Sequence, residues 1–323
     1  MHRRTLLKGA VAIGLTAPTA SALRAQSAFP DKPITFVVPF SAGGGGDIIA
    51  RTLANSLSAR VKQPVVVENR VGASGNIGAA HVLKSPPNGY TLLNMSTTYT
   101  IQAAVAKVPF DPIGDMQPII MISRDPALVI VTPASPWKTA KDLATAAKSA
   151  PAKYTYGSAG PGSIAHLGMV EFSQAMGVEL VHVPYKGTSQ AFTDLIGGTI
   201  DMMLATPIFA APYLKSGRAR ALGIAGAKRL PMLPDLPTFA EQGYQYNVFD
   251  WKAVAGPKGI PAETVAILNR ELNEVLKEKA LLDRFEAEGT ALVGGPPEDM
   301  MRTIRSEVER WKALAEKAKV KIE

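Results

Sequence analysis

The sequence predicts an α/β protein of two lobes with a cleft between them, and three observations carry that expectation. Short β-branched runs alternate with amphipathic helical stretches along almost the whole chain, the pattern of sheets covered by helices. The pattern shifts near Pro126 and resumes its first character after Asn247, as when a chain leaves one unit, builds a second and returns. In each unit a strand runs into a glycine-rich loop that opens a helix, at residues 39–47 and 157–163. The division expected is lobe 1 over 26–125 plus 248–323 and lobe 2 over 126–247.

Residues 1–25 stand apart from the fold. A basic run holding Arg3, Arg4 and Lys8 precedes a mildly apolar stretch, with small residues at Ala20, Ala22 and Ala25. That is the layout of a cleaved export signal, with the cut after Ala25 or Ala22, and it is too short and too weakly apolar to span a membrane. The pair Arg3-Arg4 followed by Leu6-Leu7-Lys8 reads as a twin-arginine address, the alternative being a general secretory signal that holds two arginines. Either implies a periplasmic protein.

In the first lobe, Ile34-Thr35-Phe36-Val37-Val38 ends at Pro39 and predicts a buried strand. Ile49, Leu53, Leu57 and Val61 recur every fourth residue in a helix over 47–61. Val65-Val66-Val67 forms the next strand, a glycine-rich turn over 72–78 leads to a helix through Val82 and Leu83, and 90–95 is a further strand. The second lobe reads as strand 127–131, helix 139–149, strand 154–156, helix 164–176, strand 178–183, helix 189–196 stopped by Gly197-Gly198, then strands 200–205 and 221–225. A proline-punctuated loop follows over 230–237. After Asn247, Pro261 opens a helix with Leu268, Leu272 and Val275 on one stripe. Pro296-Pro297 starts the last helix, with Met301, Ile304, Val308, Trp311 and Ala315 at three-four spacing. Mainly parallel sheets are expected.

Composition removes several function classes. The chain holds no cysteine, which excludes disulfides, thiolate metal sites and cysteine nucleophiles. Arg3, Arg4, Lys8 and Arg24 leave with the signal, which lowers the formal +8 to +4. No basic helix or aromatic-interleaved basic patch accompanies that charge, so nothing marks a nucleic-acid partner. His81, His166 and His182 show no metal-binding spacing, and no metal or cofactor is expected.

The glycine loops carry the functional reading. Glycine lets backbone approach a ligand closely, and the first turn of a helix leaves N–H groups without partners at the positive end of the helix dipole. Two such loops facing each other would hold a carboxylate or phosphate between them; the alternative is that both are tight turns ending strands. The first loop lacks the Gly-Lys-Ser/Thr ending of a phosphate loop, because Gly46 is followed by Asp47 and Ile48. In the second, Gly160-Pro161-Gly162-Ser163-Ile164-Ala165 matches a dinucleotide pattern formally, but Glu179 precedes the next strand instead of ending it. A serine hydrolase using Ser163 or Ser158 competes, although no Gly-x-Ser-x-Gly elbow occurs.

Pro33-Ile34-Thr35-Phe36-Val37-Val38-Pro39-Phe40-Ser41-Ala42-Gly43-Gly44 with Asp47, then Val65-Val66-Val67-Glu68-Asn69-Arg70, Asn88-Gly89-Tyr90-Thr91-Leu92, residues 157–166, His182-Val183-Pro184-Tyr185-Lys186-Gly187 and Gly198-Thr199-Ile200-Asp201 follow one another in order. Together they resemble the receptors of tripartite tricarboxylate transporters, the Bug family, over essentially the whole mature chain. The resemblance implies a type II periplasmic binding-protein fold and no catalysis. It also implies a monomer that delivers a small organic carboxylate to membrane permease subunits, with a ligand-presenting sensory receptor as the alternative. Carried over residue by residue, it implies a site of Phe40, Ser41, Ala42, Gly43 and Asp47, with Ser96 and Thr97, from lobe 1. From lobe 2 it implies Ser158, Gly160, Gly162, Ser163 and His166, with Lys186, Gly187, Thr188 and Asp201 nearby. Phe40 supplies an apolar wall or faces the core, His166 touches ligand or is a satisfied helix histidine, Lys186 contacts ligand or is solvated, and Asp201 fixes the wall. Residues 97–102, Thr-Thr-Tyr-Thr-Ile-Gln, depart from the family pattern. Closure by hinge motion near Pro126 and Asn247 is the expected mechanism.

Overall fold

The structure is a computed structural model that describes residues 29–320; the export signal expected over 1–25, with its twin-arginine pair, lies outside the described residues. In chain order the first lobe contributes β1 (Ile34–Val38), α1 (Gly45–Val61), β2 (Val65–Asn69), α2 (Asn76–Leu83), β3 (Thr91–Ser96), α3 (Thr97–Val105) and β4 (Met116–Pro126). The second continues with β5 (Leu128–Val131), α4 (Ala140–Ser149), β6 (Thr155–Ser158), α5 (Ile164–Met176), β7 (Val181–Pro184), α6 (Thr188–Ile196), β8 (Met202–Ala205), α7 (Pro207–Lys215) and β9 (Arg220–Ile224). The chain then returns through β10 (Phe249–Pro257) and ends with α8 (Ala262–Leu276), α9 (Lys279–Ala287) and α10 (Pro297–Ala318).

Among the described residues the strands form two five-stranded sheets, ordered β2-β1-β3-β10-β4 and β7-β6-β8-β5-β9. Both are mixed, which departs from the mainly parallel arrangement expected. β1 runs parallel to β2 and β3, and β6 to β7 and β8. β10 and β5 lie antiparallel to both of their neighbours. The reason is connectivity. β4 gives way to β5 across the single residue Ala127, and β10 brings the chain back beside it, with Phe249 paired to Pro126 and Ala127 N donating to Val248 O at 2.9 Å. The two crossings therefore run side by side in opposite senses.

Each sheet is covered on both faces. One face of the first packs Phe36 and Ile120 against Leu53, Leu57, Leu272 and Phe285 of α1, α8 and α9. The other packs Val37, Leu93 and Trp251 against α2 and the start of α10, through Met300 and Ile304. In the second lobe Leu143, Leu167 and Phe172 fill one side, and Phe192 and Phe209 the other. Burying each such side chain contributes about 1.5–3 kcal/mol. The last helix does not stay on its own lobe: Trp311 and Ala315 belong to the second lobe's core cluster, as does Ile101 of α3. Arg310 pairs with Glu171 of α5 at 2.8 Å.

Helix starts follow local chemistry. Thr139 accepts from the Asp142 amide while the Asp142 carboxylate accepts from Thr139 N, a reciprocal cap that begins α4 where the sequence predicts it. Five elements were not anticipated: α3, β4, α7, β10 and α9. The α3 turns bury Thr97, Thr98, Tyr99, Thr100, Ile101 and Gln102 on every side, so no apolar stripe exists to be read. In β4, Pro118 and the charged Arg124-Asp125 break the strand signal, and the strand tolerates Pro118 because it forms the sheet edge. None of the described helices is long and apolar enough to cross a membrane.

Candidate functional site

Helix starts converge between the lobes. A cavity of about 70 Å³ lies there, room for roughly five waters or a small organic molecule. It meets Gly45 and Gly46 of α1, Thr98 of α3, Ile164 and Ala165 of α5, Thr188 of α6, and Thr206, the residue that precedes α7. Each start brings the positive end of a helix dipole to the cavity wall. Apolar surface comes from Val38, Phe40 and Leu204.

The two glycine loops differ in how much of their donor capacity remains open. At α1 no side chain caps the helix, whose cap residue is Gly44. Asp47 turns back instead: Oδ2 accepts from Gly43 N and Arg51 Nε, each at 2.9 Å, and Oδ1 from Asn69 Nδ2 at 2.9 Å. Asn69 Nδ2 also donates to Phe40 O at 3.0 Å. Burial opposes ionisation of Asp47, but the hydrogen bonds from Arg51, Gly43 and Asn69 outweigh it and hold the carboxyl below its ordinary range. This network braces the loop, and Gly45 and Gly46 line the cavity in a first turn that no side chain caps.

The α5 start is largely satisfied by the protein. Ser163 Oγ accepts from His166 N at 3.2 Å, Gly162 N donates to His166 Nδ1 at 3.1 Å, and Ile164 N donates to Thr98 Oγ1 of the other lobe at 3.0 Å. Ser158 Oγ accepts from Gly160 N at 3.0 Å and lies 2.6 Å from His182 Nε2. The His166 and His182 rings stack with centroids 4.0 Å apart, and Tyr156 stacks on His182 at 5.2 Å.

Burial pushes both imidazoles down to about 4, and the neighbouring His182 adds to the effect on His166. A folded value depressed below the unfolded 6.5 means that the unfolded chain binds more protons between pH 6.5 and about 4. Stability should therefore fall as pH falls through that window, by about 1–2 kcal/mol per histidine once solvent screening is discounted. Asp125, pushed up to about 6 by burial, acts in the opposite sense below pH 6 and offsets part of this. Urea midpoints at pH 7, 5.5 and 4.5 check the sign: the wild-type midpoint should drop, and that of His182→Gln should drop less.

Of the residues expected at the site, Phe40, Ser41, Asp47, Ser96 and Thr188 line the cavity. The others stand behind or beside it. Ala42 O accepts from Ser189 Oγ at 3.0 Å and Lys186 O from Ser41 Oγ at 3.2 Å, so both join the lobes through backbone. Gly187 begins α6 directly against Ser41. Thr97 Oγ1 accepts from Trp251 N at 2.9 Å. Gly43, Gly160 and Gly162 adopt positive φ within their loops. Asp201 accepts from Thr155 N at 2.7 Å, at the opposite end of β6 from Ser158.

The hydrolase alternative finds no constellation here. Ser158 is 1% exposed, Ser163 is fully buried as a cap, and neither lines the cavity. No carboxylate hydrogen bond orients His182 among the described residues, and a nucleophile needs both access and an oriented base. No group of three His, Asp or Glu side chains suited to a metal ion is found among them either.

Sequence reasoning missed Asn94, Thr98, Thr206, Asp250 and Lys252, all of which line the cavity. Lys252 Nζ donates to Asp250 Oδ2 in a buried ion pair. A signal existed: Phe249-Asp250-Trp251-Lys252-Ala253-Val254 places two opposite charges two apart in an otherwise apolar strand, hence on one face. Asp125 stands directly opposite Asp250 in the neighbouring strand.

The comparisons agree with this geometry. The family model described as tripartite tricarboxylate transporter family receptor matches residues 49–320. BugT of Bordetella pertussis is 33% identical over 316 residues, 96% of this chain and 97% of BugT. The structure of the periplasmic binding protein BugD superposes with a TM-score of 0.87 at 33% identity, over 91% of this chain and 99% of BugD. Rpa4515 of R. palustris, solved with adipate, gives 0.87 at 35% identity over 91% and 99%. The two mixed sheets and their covering helices are the α/β two-lobe fold of these periplasmic binding proteins. With residues 49–320 matched by the family model and 96% of the chain aligned with BugT, this protein belongs to the tripartite tricarboxylate transporter receptor family, alongside its Bug members.

Proposed function

We propose that the protein is an exported, non-catalytic solute receptor that captures a small organic carboxylate between its lobes and presents the closed form to the permease subunits of a tripartite tricarboxylate-type transporter. The observation that carries this reading is the uncapped start of α1 at the interlobe cavity. There the carboxylate accepts from the Gly45 and Gly46 amides, with the Ser41, Thr188 and Thr206 hydroxyls in reach, and excluded water strengthens each contact. Adipate in the 35%-identical Rpa4515 supports the ligand class. The protein reaches the periplasm as a monomer through a twin-arginine signal over 1–25. The lobes hinge where the β4–β5 and β10 crossings lie together, near Pro126 and Asn247.

Calorimetric titration of the mature chain with mono- and dicarboxylates, amino acids and neutral sugars tests the proposal. A carboxylate is expected to bind and to raise the melting temperature. Binding confined to neutral sugars would overturn it.

A further inference from the structure

Residues 97–102, which depart from the family pattern, end in Gln102, a buried amide that takes no part in the cavity wall. Its side chain reaches the other lobe. Gln102 Nε2 donates to Pro161 O at 2.9 Å, and Ser74 Oγ donates to the same carbonyl at 2.6 Å. Asn76 Nδ2 donates to Gln102 Oε1 at 2.8 Å, which turns the amide so that its own donor faces Pro161. Three side chains of the first lobe are thus organised around one backbone oxygen of the second.

The backbone on both sides is bent to allow this. Ser74 stands at φ 49 and ψ 37 and Ala73 at φ 45, a left-handed conformation that residues with a Cβ seldom hold. Strain of that kind persists where the surrounding contacts over-determine it. Opposite, Gly160 has φ 108, and an added Cβ there would lie 2.6 Å from Ser74 Oγ. Glycine is what lets the lobes come this close. Pro161 sits between Gly160 and Gly162 in the second glycine loop, so a hold on its carbonyl is a hold on the start of α5.

We infer that Ser74 and Gln102, the latter oriented by Asn76, form a latch on Pro161 O that holds the lobes closed over the cavity without touching the ligand. This rests on the hinged-closure reading of the cleft. None of Ser74, Asn76, Gln102 and Pro161 lines the cavity. Both hydrogen bonds to Pro161 O exist only where the lobes meet, and the one from Gln102 is preorganised by Asn76. The latch acts alike whichever acid lies in the cleft. It sets how readily the lobes part, and leaves ligand choice to the cavity wall.

Amide hydrogen exchange followed by NMR tests this on the mature chain, stripped of ligand by unfolding in urea and refolding. Ile164 N, in the first turn of α5, donates to Thr98 Oγ1 of the other lobe, so its exchange reports the parting of the lobes. Leu167 N donates to Ser163 O within one lobe and reports the integrity of α5. Ile164 is expected to be protected in the wild type. Its exchange should quicken roughly three- to tenfold in Ser74→Ala and in Gln102→Leu, and roughly tenfold or more in the double variant. Leu167 should stay within about twofold of wild type throughout. Ser74→Ala removes a half-buried hydroxyl outside the core, so it reads the latch even where Gln102→Leu harms folding. The inference is overturned by an Ile164 that exchanges as a free amide in the wild type, by unchanged Ile164 exchange in Ser74→Ala and the double variant, or by equal quickening of Ile164 and Leu167 in Ser74→Ala. A screen in which no carboxylate binds would overturn the receptor reading and leave these exchange rates as they are.

Discussion

Alanine at position 187 is expected to weaken ligand binding roughly ten- to a hundredfold while the ligand-free protein melts as before. Gly187 has φ 178, extended backbone that any residue adopts, so the substitution carries no backbone strain. The effect comes from space. An added Cβ would lie 2.4 Å from Ser41 Oγ, 2.9 Å from Ser41 Cβ and 3.2 Å from Ser41 N. Ser41 belongs to the other lobe and cannot yield without moving its backbone. Overpacking of this kind costs about 1–3 kcal/mol, and it falls on the closed form alone, because separated lobes relieve it. Gly45 is placed in the same way, with an added Cβ 2.6 Å from Thr206 Oγ1. Parallel calorimetry and thermal melts of Gly187→Ala check the prediction; a Kd within twofold of wild type would show that ligand does not draw these loops together.

Trp311→Ala should lower stability by about 3–5 kcal/mol. The indole is fully buried, stacks under the Arg310 guanidinium at 4.2 Å and donates from Nε1 to Glu307 Oε2 at 2.8 Å. Its position magnifies the loss. The helix begins on the first lobe through Met300 and Ile304 and ends in the core cluster of the second through Trp311 and Ala315, so a cavity here loosens the joint as well as one core. Equilibrium urea unfolding measures the change. A midpoint shift worth less than about 1 kcal/mol would mean the second lobe closes its core without α10.

Much of the fold was legible because its helices bury one stripe. The fourfold spacing of Ile49, Leu53 and Leu57 marks α1, and Leu268, Leu272 and Val275 mark α8, as their burial bears out. Where burial is total the periodic signal vanishes, which hid α3. The stripe drawn for α10 included Met301 and Val308, yet Met300 takes the buried place beside Ile304. At the site, clustered glycines announced both loops. Sequence alone could not say that the second loop would spend its donors on Ser163, His166 and Thr98, since Thr98 lies 66 residues away in the chain. Asp250 and Lys252 escaped because their relation to Asn94 arises only from strand pairing across more than a hundred residues of chain.

The far end of α10 also bears on how the molecule is made. Residues 128–224 hold every strand of the second sheet, yet the interior beneath that sheet includes Trp311 and Ala315, supplied by a helix made well after all five of those strands. A middle segment excised on its own would expose an apolar hollow to water. Nascent chains halted before position 311 should therefore stay sensitive to proteases, and the second lobe can reach its native packing only once α10 has been made.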